Sequence, residues 1–294
     1  MDGGFSIGAH GFPAATLAPG LYLVATPIGN LKDITLRALE TLAGADLVLC
    51  EDTRHTARLF SAYAIRTLRS PLHEHNERER IAGVLAQIAE GKAVALVSDA
   101  GTPLLSDPGF PLVRAAREKG IAVFAVPGAS ALLAGLTVSG LPTDSFAFFG
   151  FLPPKTGART NALIPLAGRP ETLIFYESPK RLAASLADMA QVFGGSRNAA
   201  VALELTKKFE RVAEGSLADL VARFEAEPQK GEAVVLVAGA APGAAAGGED
   251  WQAALAEALE TEPLRAAVDA VSARYGLRRK EVYNAALALK APTR

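Results

Sequence analysis

The stretch AVALVSDAGTPLLSDPGF, residues 93–110, decides how this chain is read. Its first five residues are apolar with no polar alternation, the pattern of a strand covered on both faces. The next twelve, 98–109, hold two Asp, two Gly, two Pro and two Ser. That is more turn chemistry than a chain reversal requires. A helix is expected from near Phe110. Strand, elaborate loop and helix in that order make a connection built to hold something.

Working outward, similar apolar runs recur at 21–25, 47–50 and 121–126, then at 146–151, 172–176, 199–203 and 233–238. Helical patterns lie between them, at 35–46, 77–91 and 178–194, the last stopped by Gly194. The alternation predicts an α/β fold with largely parallel sheets, in two α/β domains. The stretch GLPTDS, 140–145, separates the two sets of strands. The expected organisation is a flexible tail over 1–18, domains over 19–140 and 141–240, a small-residue linker over 241–250, and a helical module over 251–294. In that module two amphipathic helices meet around Gly276, and Leu264, Val268, Val271, Val282 and Leu287 demand an apolar partner surface.

Bulk properties narrow the function classes. The chain has 294 residues, half of them hydrophobic, with a formal net charge of −1. This balance supplies no global pull toward nucleic acid or anionic membrane, so any RNA contact must come from local patches. The single cysteine, Cys50, excludes an internal disulfide and suits a reducing compartment. The first twenty residues lack the pattern of a signal peptide, and the most apolar window, 131–138, is too short to span a bilayer. A soluble cytoplasmic protein is expected.

Two further strand ends carry unusual loops, ATPIGNLKD at 25–33 and PGASA at 127–131. In open α/β sheets ligands bind outside the carboxyl ends of strands, so three such loops point to a crevice. The glycine fingerprint of a dinucleotide site is absent after the first strand, where Pro27 stands, and no Walker P-loop or zinc-spaced Cys/His set occurs. A phosphate-poor ligand held by backbone groups and a few acids fits. S-adenosylmethionine is one such molecule, though composition does not choose it.

Resemblance does. The segments ATPIGNLKDITLRAL, CEDTRHTARLF, SDAGTPLLSDPG, VPGASA, LPTDSFAFFGFLP and ESPKRL occur in this order. Together they resemble the ribosomal RNA small-subunit methyltransferase I family of the tetrapyrrole-methylase-like superfamily, over about residues 20–239, and the tail resembles that family's helix-turn-helix module. The resemblance implies two α/β domains, often dimeric, with S-adenosylmethionine in a cleft between them. It also implies 2′-O-methylation of a cytidine ribose in the decoding region of 16S ribosomal RNA, within the small subunit. The glycine-rich first loop of the broader superfamily is replaced here by TPIGN.

The implied donor contacts are Pro27, Asp99, the backbone of Ala100, Gly101, Thr102 and Pro103, and Ser130 with Ala131. No metal is required for methyl transfer from a sulfonium. A ribose hydroxyl is a poor nucleophile, so a base in hydrogen-bond reach is expected. The candidates are Glu51 and Asp52 of EDTR, the histidines His73 and His75, and Glu177; the EDTR acids, directly after a strand, are preferred. Asp52 or Thr53 could equally cap the following helix. Expected RNA contacts are Lys155 and Arg159 in the 153–161 loop, Lys207 and Lys208 of TKKFER, and Arg278 and Arg279 in the terminal helices. Competing readings are a tetrapyrrole methyltransferase, a non-catalytic ribosome-associated ligand-binding module and, more distantly, a nicotinamide oxidoreductase.

Overall fold

The structure is a computed structural model that describes residues 3–73, 76–227, 229–241, 251–275, 277 and 279–290. The chain divides into two compact units, Met1–Ala134 with Glu204–Glu210, and Gly135–Leu203 with Arg211–Arg294. The division falls six residues before the GLPTDS stretch.

The first unit opens with a hairpin, β1 (Gly4–Ile7) and β2 (His10–Pro13), paired antiparallel. The flexible tail expected over 1–18 is corrected here. Phe5 is buried and stacks on Phe12, and the Ser6 N–H donates to the Tyr63 carbonyl at 2.8 Å. Glycines at 3, 4, 8 and 11 obscure the strand alternation in the sequence, yet this one anchored aromatic orders the segment.

Then come β3 (Gly20–Val24), α1 (Leu36–Gly44), β4 (Leu47–Cys50), α2 (Thr53–Ala62), β5 (Arg69–Pro71), α3 (Glu77–Ala89), β6 (Ala93–Val97), α4 (Phe110–Glu118), β7 (Val123–Val126) and α5 (Ala131–Val138), within which the division falls. The strands form one all-parallel sheet in the order β5-β4-β6-β3-β7. Side chains alternate across it, as the pleat requires. Tyr22, Val24, Val48, Cys50, Ala95 and Val97 pack with Leu39 and Leu42 of α1 and with Leu59 and Phe60 of α2. Leu21, Leu47, Leu49, Val94 and Leu96 pack on the other face with Leu85 and Ile88 of α3 and Leu112 of α4. This double burial explains why the strands read as continuous apolar runs. Each fully buried Leu or Val contributes about 1.5–3 kcal/mol of transfer free energy.

This arrangement creates a topological switch. β6 lies between β4 and β3, whose following helices cover one face, while the helix after β6 covers the other. A position of this kind, outside the carboxyl ends of the strands, is where open α/β sheets bind ligands.

The second unit contains β8 (Phe146–Phe151), α6 (Thr156–Leu163), β9 (Thr172–Glu177), α7 (Leu182–Phe193), β10 (Asn198–Leu203), β11 (Arg211–Ser216), α8 (Leu217–Ala226) and β12 (Ala233–Val237). Its sheet runs β11-β10-β12-β9-β8, and only β8 and β9 pair in parallel. The expected largely parallel sheet therefore holds for the first unit alone. β10 and β11 are joined by seven residues, too short for a crossover helix, so they pair as a hairpin. Strand residues such as Phe175, Val201 and Val235 pack with Leu186 and Met189 of α7 and with Leu220 of α8. Ser216 and Asp219 form a reciprocal cap at the start of α8.

Three helices complete the unit, α9 (Trp251–Thr261), α10 (Leu264–Tyr275) and α11 (Arg279–Lys290). Leu255, Val268, Val271, Tyr275 and Val282 share one small core. The partner surface demanded by the amphipathic pair is thus internal, with α9 as the third helix; Leu287 stays exposed. Apart from Ala241, the linker over 241–250 lies outside the described residues. No described helix is long and apolar enough to cross a membrane.

Candidate functional site

Four loops at the carboxyl edge of the first sheet are tied to one another. Thr26 after β3 and Gly101 after β6 exchange two backbone hydrogen bonds, of 2.9 and 3.0 Å. The Thr102 hydroxyl donates to the Ala129 carbonyl at 3.2 Å, linking the loops after β6 and β7. The Asp52 N–H donates to Asp99 Oδ1 at 3.0 Å, linking the loops after β4 and β6. Candidate residues from 25–33, 51–54, 98–109 and 127–131 therefore gather at one sheet edge.

The 98–109 loop holds left-handed backbone at four positions, Gly101 (φ 81°), Leu104 (φ 75°), Ser106 (φ 72°) and Gly109 (φ 121°). For Leu104 and Ser106 this conformation costs about 1–2 kcal/mol each. Gly109 also sits where a Cβ would come within 2.5 Å of Leu96 Cδ2. A loop that retains such conformations is over-determined by its surroundings, and ligand clamps are where strain of this kind collects.

Several acids stand at this edge. Burial pushes the Asp107 carboxyl up to about 6, against a hydrogen bond from Ser98, and the nearby charges of Glu51 and Asp99 push it further up. Asp52 behaves oppositely. Hydrogen bonds from the Arg54 side chain and backbone hold its carboxyl down at about 2. It caps α2, accepting from the Arg54 N–H at 2.8 Å and pairing with the guanidinium at 2.9 Å. Glu51 is half-buried beside it.

Ser130 has an unmet hydrogen-bonding group at this edge. Its residue is only 9% exposed, and its hydroxyl has no hydrogen-bond partner. An unmet buried hydroxyl costs about 1–3 kcal/mol, so it calls for a partner from outside the chain. The chemistry of the cradle fits S-adenosylmethionine: carboxylates for a cationic amino acid and ribose hydroxyls, backbone groups at 100–103, and no phosphate-binding helix start after β3.

Residues 20–221 match the model of the Tetrapyrrole (Corrin/Porphyrin) Methylases, and residues 245–290 match that of the RsmI C-terminal HTH domain. The chain is 54% identical over 232 residues to the ribosomal RNA small subunit methyltransferase I of Mesorhizobium japonicum, covering 79% of each chain. It is 48% identical over 271 residues to the protein of that name from Pseudomonas aeruginosa, covering 91% of this chain and 96% of that one. The chain belongs to the ribosomal RNA small subunit methyltransferase I family.

Solved structures agree on the fold. The fold of this chain is similar to that of uroporphyrin-III C-methyl transferase from Thermus thermophilus complexed with S-adenyl homocysteine, with a TM-score of 0.53, 21% identity, and 74% and 96% of the two chains covered. Diphthine synthase matches with a TM-score of 0.58, 18% identity, and 74% and 89% covered.

For this family member the expected RNA contacts separate. Arg159, placed by sequence on a surface loop, is 2% exposed on α6. It bonds Asp188 at 2.6 Å, the Pro154 carbonyl and the Thr156 hydroxyl. That expectation is corrected: the apolar neighbours of α6 draw this face inward, and Asp188 on α7 supplies the counter-charge. Lys155 is exposed just before α6. Lys207 pairs with Glu204 at 2.9 Å, and its stem lies on Gly29, where a Cβ would meet Lys207 Cγ at 2.5 Å. Lys208 is exposed, and Arg279 bonds Asp269 at 2.5 Å. Arg278 lies outside the described residues, as do Glu74 and His75.

Glu177 is fully occupied within the second unit. It accepts from Ser178 N–H, Arg181 and Ser185, all within 2.7 Å. The sequence reading did not single out Asp107, a further acid at this edge whose carboxyl burial raises to about 6. Its signal was present, since it lies between Ser106 and Pro108 in the same loop as Asp99.

Proposed function

We propose that this chain is an S-adenosylmethionine-dependent methyltransferase that 2′-O-methylates a cytidine ribose in 16S ribosomal RNA of the small subunit. The observation that carries the reading is the 48% identity, over 96% of its length, to a protein named ribosomal RNA small subunit methyltransferase I. The unmet Ser130 hydroxyl amid linked strand-end loops supports the methyl-donor part.

When bound, the donor supplies a methyl carbon made electrophilic by a sulfonium. Asp99 and the backbone of Ala100, Gly101, Thr102 and Pro103 hold its amino-acid and ribose end. Pro27, Ser130 and Ala131 complete the wall. Such alignment supplies up to roughly 7–11 kcal/mol of barrier reduction in well-oriented systems. The ribose 2′-oxygen forms its bond to the methyl carbon as the carbon–sulfur bond breaks, and the hydroxyl proton passes to a carboxylate. Asp107, with Glu51 beside it, takes that proton. A carboxyl titrating near 6 is ionised at neutral pH yet basic enough to help, typically by ~10²–10⁴-fold. Asp52, held near 2 and engaged by Arg54, serves the fold of α2 instead.

RNA is held by Lys155, Lys208, Arg278 and Arg279. The protein acts in the cytoplasm as a homodimer, a reading supported by the exposed apolar side chains Val138, Phe146 and Phe151 of the second unit. Incubation with labelled donor and 30S particles tests the activity. Label should appear at a cytidine 2′-oxygen of 16S RNA; transfer only to a tetrapyrrole, or to nothing, contradicts it.

A further inference from the structure

We propose that Phe209 is a stacking platform for an unpaired base of the RNA substrate, presented beside the loop that follows β3. The inference rests on the ribosomal RNA reading above.

Phe209 is 72% exposed, more than any other large apolar side chain among the described residues. A single exposed apolar residue is ordinary. This one differs in how it is held. It stands in the Glu204–Glu210 segment between β10 and β11, which clusters with the first unit although both strands belong to the second. Glu204 (φ 51°) and Thr206 (φ 66°) are both left-handed without being glycine.

Several bonds lock the segment. Lys207 Nζ pairs with Glu204 at 2.9 Å, and the Glu210 carboxylate accepts from the Thr206 N–H at 2.5 Å. The backbone N–H groups of Lys207 and Glu210 donate to the Glu204 and Lys207 carbonyls at 3.0 and 3.1 Å. The Lys207 stem then rests on Gly29 of the TPIGN loop, two residues from Pro27, which the proposed function places at the methyl donor. A hydrophobic ring on a turn this constrained is displayed at little conformational cost, since only its two side-chain torsions remain to be fixed.

The surrounding charge selects the occupant. Lys208 Nζ lies 5.5 Å from the Phe209 ring centroid, and Lys208 and Arg211 are both exposed. An exposed aromatic face with a cation against it is an arrangement that binds single-stranded nucleic acid: the base stacks and a phosphate meets the cation. The cation beside the ring, with Arg211 two residues on in the chain, argues against an apolar protein surface as the partner. Because the segment touches the donor loop, the stacked base is the target cytidine or one adjoining it.

The test uses the full chain and a short unstructured pyrimidine RNA carrying a fluorescent label, with affinity read by anisotropy over a range of salt. Calorimetry with S-adenosylhomocysteine on the same samples reports the donor site separately. Phe209→Ala should weaken RNA binding roughly 5- to 100-fold while leaving the salt slope and the donor affinity unchanged. Phe209→Trp should restore binding. Lys208→Gln should instead flatten the slope of log K against log salt by about 0.7.

RNA affinity unchanged in Phe209→Ala, or no RNA binding by the parent protein, overturns the proposal. So does loss of a dimer in Phe209→Ala by sedimentation, which would assign the ring to a second copy of the chain. Methyl transfer to 30S particles by the parent protein, with Phe209→Ala indistinguishable from it in RNA affinity, removes the stacking role and leaves the enzymatic reading standing. Absence of both donor binding and transfer removes that reading itself.

Discussion

The backbone N–H of Asp52 donates to the side chain of Asp99 across 3.0 Å, so the start of α2 is positioned by the loop after β6. One carboxylate oxygen of Asp99 thus serves the scaffold, and in the proposed function its charge meets the ammonium group of the donor. Substitution can separate the two. Asp99→Asn retains an oxygen acceptor for the Asp52 N–H and should keep the melting temperature, yet weaken donor affinity about tenfold, equivalent to ~1.4 kcal/mol. Asp99→Ala should lose both. Calorimetry and thermal unfolding of the pair check this, and equal donor affinity in all three proteins contradicts it.

Asp107 predicts the pH dependence of turnover. With its carboxyl near 6, kcat/KM should fall as pH drops below about 6, where the base is protonated. Asp107→Asn should lower the rate by ~10²–10⁴-fold and abolish that acidic limb. The stability effect runs the other way. A carboxyl whose folded value exceeds its unfolded value of 3.8 keeps its proton longer when folded, so stability declines as pH rises from about 4 through 6. Allowing for screening by solvent, Asp107→Asn should stabilise the protein at pH 7 by about 1 kcal/mol. Rate and unfolding profiles against pH measure the two effects independently.

Asp52 carries the opposite sign. Its carboxyl titrates near 2, below the ordinary 3.8, through its bonds to Arg54. Its stabilising contribution is complete above about pH 4 and is lost as pH falls through 2. Asp52→Ala should therefore lower the melting temperature at pH 7 and much less at pH 2, with turnover of the folded protein largely retained. A loss of turnover at unchanged stability would return Asp52 to the chemistry.

Ser130 should show a trade of stability for binding. Its hydroxyl is buried without a partner, so Ser130→Ala removes an unmet polar group and should raise the stability of the ligand-free protein by up to about 1 kcal/mol. The same change should weaken donor binding several-fold, because the ligand loses the bond. Thermal unfolding with and without S-adenosylhomocysteine reads both effects, and a variant unchanged in each would clear Ser130 of the site.

Arg159 is expected to act through stability alone. Arg159→Ala leaves Asp188 buried and unpaired, at a cost of about 3–5 kcal/mol, whereas Lys155→Ala should leave unfolding unchanged and weaken RNA binding. Chemical denaturation and RNA titration of the two variants distinguish these roles.

What the sequence made legible follows from what each residue touches. The first sheet was readable because Val94, Leu96, Ala95 and Val97 are buried on both faces, which leaves an uninterrupted apolar run. The second sheet looked the same for the same reason, yet its direction depends on the seven-residue connection before Arg211, which the runs do not encode. The strand-end loops announced themselves through Gly, Pro and Asp, and Asp99, Gly101 and Ser130 proved to lie at one edge. Arg159 misled because a lone arginine in a Pro-Lys-Thr-Gly context reads as surface, and its partner Asp188 is twenty-nine residues away. Asp52 titrates low and Asp107 high because of Arg54 and of burial, neither of which is visible in spacing.

The most direct test of the account is a crystal structure of the protein with S-adenosylhomocysteine. The ligand is predicted to lie on the tips of β3, β6 and β7, with one of its polar atoms within hydrogen-bond distance of Ser130 Oγ and its amino-acid or ribose end against Asp99. Density for it away from these three tips, or on them with Ser130 Oγ still lacking a partner, would contradict the assignment.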